Sequence, residues 1–257
     1  VRAVLSSDSE YYREAFRGFQ EAWGSSVPFM TAGGPAPDAI VAFGSRAALR
    51  DWPSSALLET CLAPGAKSKR RGGEVLRVDL LPSPPALVAS IKKLLPGLTV
   101  LRVLWSSEAS GADVAELTAA ASARGVTVVS ERIEDPELLP ERVRAFSGRA
   151  DALWLMPDPA LVNAENFAIL REYATAARVP FLAPTEGLAE KGATATLAVS
   201  FREVGRAAAA ALKARLGGGA AQDSVHPDRI AVTVNASAAR AVGMDLGAAS
   251  GVDKTLP

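Results

Sequence analysis

The chain has 257 residues, 49% of them hydrophobic, and its 28 basic and 28 acidic side chains cancel to zero net charge. That balance excludes an intrinsically disordered chain and a broad polyanion-binding surface, so no nucleic-acid partner is expected. One cysteine, Cys61, and one histidine, His226, exclude an internal disulfide and nearly exclude a zinc site and a histidine-dependent catalytic triad.

No run reaches the roughly 18 apolar residues of a membrane span, because Arg or Glu interrupts each Ala/Leu-rich stretch. The sequence opens on an apolar strand at 1–5 with no charged-then-apolar leader ahead of it. It therefore reads either as cytosolic or as beginning after a removed leader. Ser7 and Glu10 have capping-box spacing ahead of a helix with Tyr12, Phe16, Phe19 and Trp23 on one face. A strand feeding a capped helix leaves free amides at the loop, which suits an anion such as a carboxylate; helix capping alone is the other reading of these serines. Residues 27–30 read as a second strand and 38–43 as a third, with no room between them for a crossover helix. Ser45 then caps a short helix that holds Ala47, Ala48 and Leu49.

Residues 56–62 form a weaker strand candidate. The basic stretch 66–73 lacks both the leading glycine and the Lys-Ser/Thr end of a Walker loop, and reads as a solvated loop. After a strand at 75–80, Ser83-Pro84 starts a helix whose buried stripe is Leu87, Val88, Ile91, Leu94 and Leu95, and Gly97 closes it. From Thr99 the pattern restarts as strand, serine-rich loop, helix with Val114, Leu117 and Ala121, and strand. This copy of the opening unit predicts two α/β lobes. A helix at 136–146 leads into 150–206, which reads as three buried strands, an amphipathic helix and two loops, at 157–161 and 184–188. Ligands of open parallel sheets bind outside the carboxyl ends of the strands, which places those two loops on the ligand side. A helix at 201–216 ends in Gly217-Gly218-Gly219; a last strand at 228–235, a helix at 236–242 and a mobile tail from 247 complete the chain.

The ordered series DALWLMPDP (151–159), RVPFLAP (178–184), KGATATLAVS (191–200) and EVGR (203–206) resembles the substrate-binding proteins of ABC transporters, in the branch of the tryptophan and tyrosine binders. The likeness extends back through 94–111 and 38–48 and forward through 229–244. It implies a periplasmic-binding-protein-like I fold: two Rossmann-like parallel-sheet lobes with three hinge crossings, closing on a small ligand without a cofactor. By that resemblance lobe one is 1–100 plus 197–219 and lobe two 101–196 plus 220–257. The crossings then fall near 98–102, 196–200 and 217–226. The protein would be a monomer, periplasmic or lipid-anchored outside the cytoplasmic membrane, working with the membrane permease of an importer.

The fold rule and the resemblance together nominate Ser6, Ser7, Tyr11, Phe43, Gly44, Ser45, Ser200 and Phe201 as ligand-binding residues of lobe one. In lobe two they nominate Trp105, Ser106, Ser107, Glu108, Asp158, Pro159, Thr185 and Glu186. Hydroxyls and helix amides would hold a carboxylate, Asp158 or Glu186 an ammonium, and the aromatics a planar or apolar side chain, a set suited to an amino-acid-like ligand. Members of the family commonly carry an aspartate at the crossing where this chain has Ser200-Phe201. A sensor or orphan binding module of the same fold is the competing reading. An enzyme is not indicated, since no G-x-G-x-x-G opens a helix and no nucleophile–base pair is evident.

Overall fold

The computed structural model describes residues 1–30, 36–63, 72–108, 110–146, 148–158, 160–220 and 224–257. In chain order the elements are β1 (Arg2–Leu5), α1 (Glu10–Trp23), β2 (Ala39–Phe43), α2 (Ser45–Ala48), β3 (Leu57–Cys61), β4 (Val75–Val78), α3 (Pro84–Leu94) and β5 (Val100–Trp105). There follow α4 (Ser110–Ser122), β6 (Thr127–Arg132), a 3-10 turn (Pro136–Leu138), α5 (Leu139–Arg144), β7 (Ala152–Leu155), α6 (Ala164–Ala177), β8 (Phe181–Ala183) and α7 (Gly187–Glu190). The last are β9 (Ala195–Ala198), α8 (Phe201–Leu216), β10 (Ser224–Val225), β11 (Ala231–Asn235), α9 (Ala236–Ala241) and β12 (Lys254–Leu256). No helix of the described residues is long and apolar enough to cross a membrane.

The chain divides into two compact units, Val1–Leu80 with Val199–Pro227, and Leu81–Ala198 with Asp228–Pro257. The crossings therefore follow residues 80, 198 and 227. The first lies about a helix earlier than the expected lobe edge near residue 100. The reason is packing: Leu87, Val88, Ile91 and Leu94 of α3 join the core formed by Leu101 and Val103 of β5 and Val114 and Leu117 of α4.

Among the described residues, the first unit holds a five-stranded parallel sheet in the order β1-β2-β3-β4-β10. Residues 27–30, expected as a strand, contribute only a single parallel bridge, Phe29 to Ala3 at the β1 edge. One face of the sheet is covered by α1 and α8, which pack on each other through Gly18 and Gly205. A Cβ on Gly18 would overlap the carbonyl oxygen of Arg202, and one on Gly205 the carbonyl oxygen of Ala15. This approach brings Phe16, Phe19, Val204, Ala208 and Leu212 into one core. Across the helix pair Glu21 binds Arg202 and Arg206, and Lys213 Nζ donates to the Ala22 carbonyl (2.8 Å).

Glu59 is a charge-capable residue in the middle of this sheet. It is fully buried on β3, opposite Val41 and Leu76, and among the described residues neither carboxyl oxygen has a hydrogen-bond partner. Burial pushes its pKa well above the ordinary 4.5, so the folded unit keeps it protonated where the unfolded chain releases the proton. The sign follows from linkage: this contribution is present below about pH 4.5 and is lost as pH rises above it. Glu59→Met, similar in volume and without polar atoms to bury, is expected to be about 1–3 kcal/mol more stable near neutral pH. Its melting temperature should also fall less than that of the wild type between pH 5 and 8. Parallel pH profiles for the two proteins would contradict the buried-acid assignment.

The second unit holds, among the described residues, a seven-stranded sheet in the order β12-β11-β9-β8-β7-β5-β6. Strands β5 to β9 are parallel; β11 runs antiparallel to β9, and β12 parallel to β11. Trp154, Met156, Leu182 and Leu197 pack on one face with α3 and α4, while Leu153, Leu155 and Phe181 pack on the other with α5 and α6. The tail from 247, expected to be mobile, is tied down. Ser250 N–H donates to the Lys93 carbonyl (2.9 Å), Asp253 exchanges hydrogen bonds with Val232, and β12 extends the sheet.

Candidate functional site

The carboxyl ends of the first unit's strands carry most of the residues nominated there. After β1, Ser6 N–H continues the ladder to the Phe43 carbonyl (2.8 Å), and after β2, Gly44 N–H continues it to the Cys61 carbonyl (2.7 Å). The Ser6 hydroxyl then accepts the Ala47 N–H (2.9 Å), so the cap of α2 comes from β1 and not from Ser45. Gly44 is buried with φ at 90°, a conformation that L residues disfavour. A Cβ there would lie 2.5 Å from the Tyr12 hydroxyl and 2.6 Å from Ser6 Oγ. Glycine at this position is what lets both side chains close over the strand ends.

The remaining nominees of this unit separate by exposure. Phe43 is not a wall residue: it is fully buried, edge-on to Phe16 (6.0 Å) and Phe19 (6.1 Å), because β2 is covered on both faces. Ser7 is exposed but does not form the expected capping box; α1 begins at Glu10 after Ser9, which makes no side-chain cap bond. Tyr11 is 61% exposed and rests against Phe201, ring centroids 5.0 Å apart. Ser200 caps α8 through the Glu203 N–H (3.2 Å). Tyr12, assigned from the sequence to the buried stripe of α1, is half-buried at the strand ends. Neighbouring residues on a helix are about 100° apart, so the Tyr11-Tyr12 pair can divide between solvent and the sheet edge.

In the second unit the loop after β5 is organised by Asp158, which is only 1% exposed. Its Oδ2 accepts the N–H groups of Ser106 (2.9 Å) and Ser107 (2.7 Å) and the Ser110 hydroxyl (3.1 Å), and its Oδ1 accepts the Ala160 N–H (3.1 Å). Burial alone would raise its pKa, but the amides of Ser107, Ser106 and Ala160 outweigh that and hold it below the usual carboxylate range. The carboxylate expected to meet a ligand ammonium is thus engaged in joining two loops of its own unit. Glu186 is exposed and paired with Lys254 (3.1 Å), and Thr185 beside it is exposed. Trp105 is half-buried, with the Arg132 guanidinium 5.4 Å over its ring; Arg132 also donates to the Ser106 carbonyl (3.1 Å) and lies 3.9 Å from the exposed Glu108. Pro159 lies outside the described residues.

Two cavities among the described residues lie at the opposite, amino ends of strands. One of about 320 Å³ in the first unit is lined by Asp38, Leu57, Glu74 and Arg215 at the amino ends of strands. One of about 340 Å³ in the second is lined by Leu98, Asp151, Arg178 and Met244, also at amino ends. No nominated residue lines either of these two cavities.

The family profile described as ABC transporter substrate binding protein matches residues 86–248, more than half of the chain. No curated protein matches significantly. Among solved structures, an ABC domain from Streptococcus pneumonia in complex with L-Trp is 18% identical, with a TM-score of 0.60, covering 99% of this chain and 98% of the other. A ligand-free, open substrate-binding protein with adhesive properties from Clostridium difficile is 20% identical, with a TM-score of 0.63 and 99% coverage of both chains. A conserved domain protein from Vibrio cholerae is 16% identical, with a TM-score of 0.61, covering 99% of this chain and 98% of the other. At these identities the likeness establishes the fold, which is periplasmic-binding-protein-like I.

Proposed function

The chain belongs to the ABC transporter substrate-binding protein family, and from that premise we propose that it captures an amino-acid-like ligand outside the cytoplasmic membrane and delivers it to the permease of an importer. In each unit the loops at the carboxyl ends of the strands are the proposed ligand contacts. Ser6, Tyr11, Gly44, Ser45, Ser200 and Phe201 serve from the first unit, and Trp105, Ser107, Glu108, Thr185 and Glu186 from the second.

The observation that carries this reading is the chemistry of those edges: hydroxyls beside exposed or half-exposed aromatic rings in a chain of this family. Tyr11 against Phe201 offers an apolar platform to a planar side chain, and the exposed Glu108, only 3.9 Å from Arg132, is the carboxylate proposed to meet an ammonium. The L-Trp complex of the Streptococcus protein supports the aromatic members of the amino-acid class first.

Thermal melts against the common L-amino acids and a set of monosaccharides test the proposal. A ligand present at 100 times its dissociation constant adds about 2.7 kcal/mol, a rise of several degrees. An aromatic L-amino acid is expected to give the largest rise. A rise with a monosaccharide and none with any amino acid would overturn the ligand class.

A further inference from the structure

We propose that Tyr12 is a ligand-binding residue, its hydroxyl acting with that of Ser6 to take the carboxylate of the ligand. The inference rests on the amino-acid reading given above and names the part of the ligand that the first unit recognises.

The geometry is local to that unit. Both hydroxyls lie beside Gly44 at the end of β2: a Cβ built there would be 2.5 Å from Tyr12 Cζ and Oη and 2.6 Å from Ser6 Oγ, so the two oxygens are neighbours. Ser6 Oγ accepts the Ala47 N–H, which leaves its own proton to donate outward. Tyr12 Oη makes no hydrogen bond among the described residues. Two donors without acceptors, side by side at the carboxyl end of a parallel sheet, suit an acceptor with several lone pairs.

The charges nearby favour an anion as that acceptor. Asp8 is held by Arg13 through two contacts of 2.7 and 2.5 Å, and Glu10 by Arg17 at 3.0 Å, so the carboxylates flanking the start of α1 are neutralised by their own neighbours. Ser9 leaves the amino end of this 14-residue helix without a side-chain cap, although Glu10 lies in its first turn. Tyr12 sits in the first turn of that helix.

The test is calorimetric titration of the wild type and of Tyr12→Phe with L-tryptophan and with L-tryptophanamide, which replaces the carboxylate by a neutral amide. Tyr12→Phe keeps the ring over Gly44 and removes only an oxygen that bonds nothing, so its unliganded melt should match the wild type. The wild type is expected to prefer L-tryptophan over the amide. In Tyr12→Phe, L-tryptophan should bind about tenfold or more weakly while the amide changes little, which compresses the preference; a role confined to packing would weaken both probes alike. If the wild type binds L-tryptophan and the variant keeps the same preference, Tyr12 does not read the carboxylate and the amino-acid reading stands. If the wild type binds neither probe, the assignment and the aromatic amino-acid reading beneath it both fall.

Discussion

Gly205→Ala is expected to cost about 3–5 kcal/mol, enough to leave the first unit largely unfolded at modest urea concentration. The added Cβ would overlap the Ala15 carbonyl oxygen and come within 2.7 Å of the Phe19 amide nitrogen, both backbone atoms of α1. A flexible side chain could rotate away; a helix backbone must move as a body. Separating α1 from α8 would also open the core of Phe19, Val204 and Leu212. Gly18→Ala should behave alike, since its Cβ meets the Arg202 backbone from the opposite side. The double variant should cost less than the sum, because one substitution already parts the helices that the other would part. Gly97→Ala is the control: nothing lies within 4 Å of its Cβ, and its stability should stay within about 0.5 kcal/mol. A Gly205→Ala protein less than about 1 kcal/mol weaker would contradict the close approach of α1 and α8.

Asp158→Ala is expected to destabilise the unliganded protein by about 3 kcal/mol or more, through the second unit. The carboxylate satisfies the amides of Ser106, Ser107 and Ala160 together with the Ser110 hydroxyl, and alanine removes that shared acceptor from the buried Ser106 amide and the part-buried Ser107 amide. Asp158→Asn keeps the volume and one acceptor oxygen and should lose less. The pH dependence has a definite sign. The folded pKa lies below the ordinary 3.8, so the contribution is present above that value and disappears as pH falls through the folded pKa. Melts of the three proteins between pH 2 and 7 should therefore converge at the acid end. An unliganded Asp158→Ala protein as stable as the wild type at pH 7 would return this residue to the role of a free ligand contact.

Much of the architecture was legible where local chemistry and periodicity agree. Ser83 followed by Pro84 marks the start of α3, and the helix expected at 201–216 is α8. Elements stabilised only by pairing were not legible. β10 and β12 are two and three residues long and too short for alternation, and the antiparallel direction of β11 is set by its partner β9 and by no residue of its own. The assignment of α3 to the second unit likewise depends on what its stripe touches.

At the site, sheet geometry identified the strand ends, but the sequence could not tell which polar groups were already in use. Asp158 and Ser106 were chosen for their chemistry, and the fold turns that chemistry inward, one upon the other. Phe43 looked available because it ends a strand next to glycine, yet both faces of β2 are covered. Tyr12 was passed over because its spacing to Phe16 and Phe19 reads as core. The signal that exposes it is Gly44, whose missing side chain makes the room that Tyr12 and Ser6 share.

The proposed ligand contacts lie in the loops at the carboxyl ends of the strands. Hydrogen exchange measured by mass spectrometry, with and without the amino acid that gives the largest rise in melting temperature, tests that placement most directly. Added protection is expected in peptides covering 6–12, 43–46, 105–108 and 184–187. Protection confined to peptides covering 94–98, 151 and 178, at the amino ends of the strands, would contradict it.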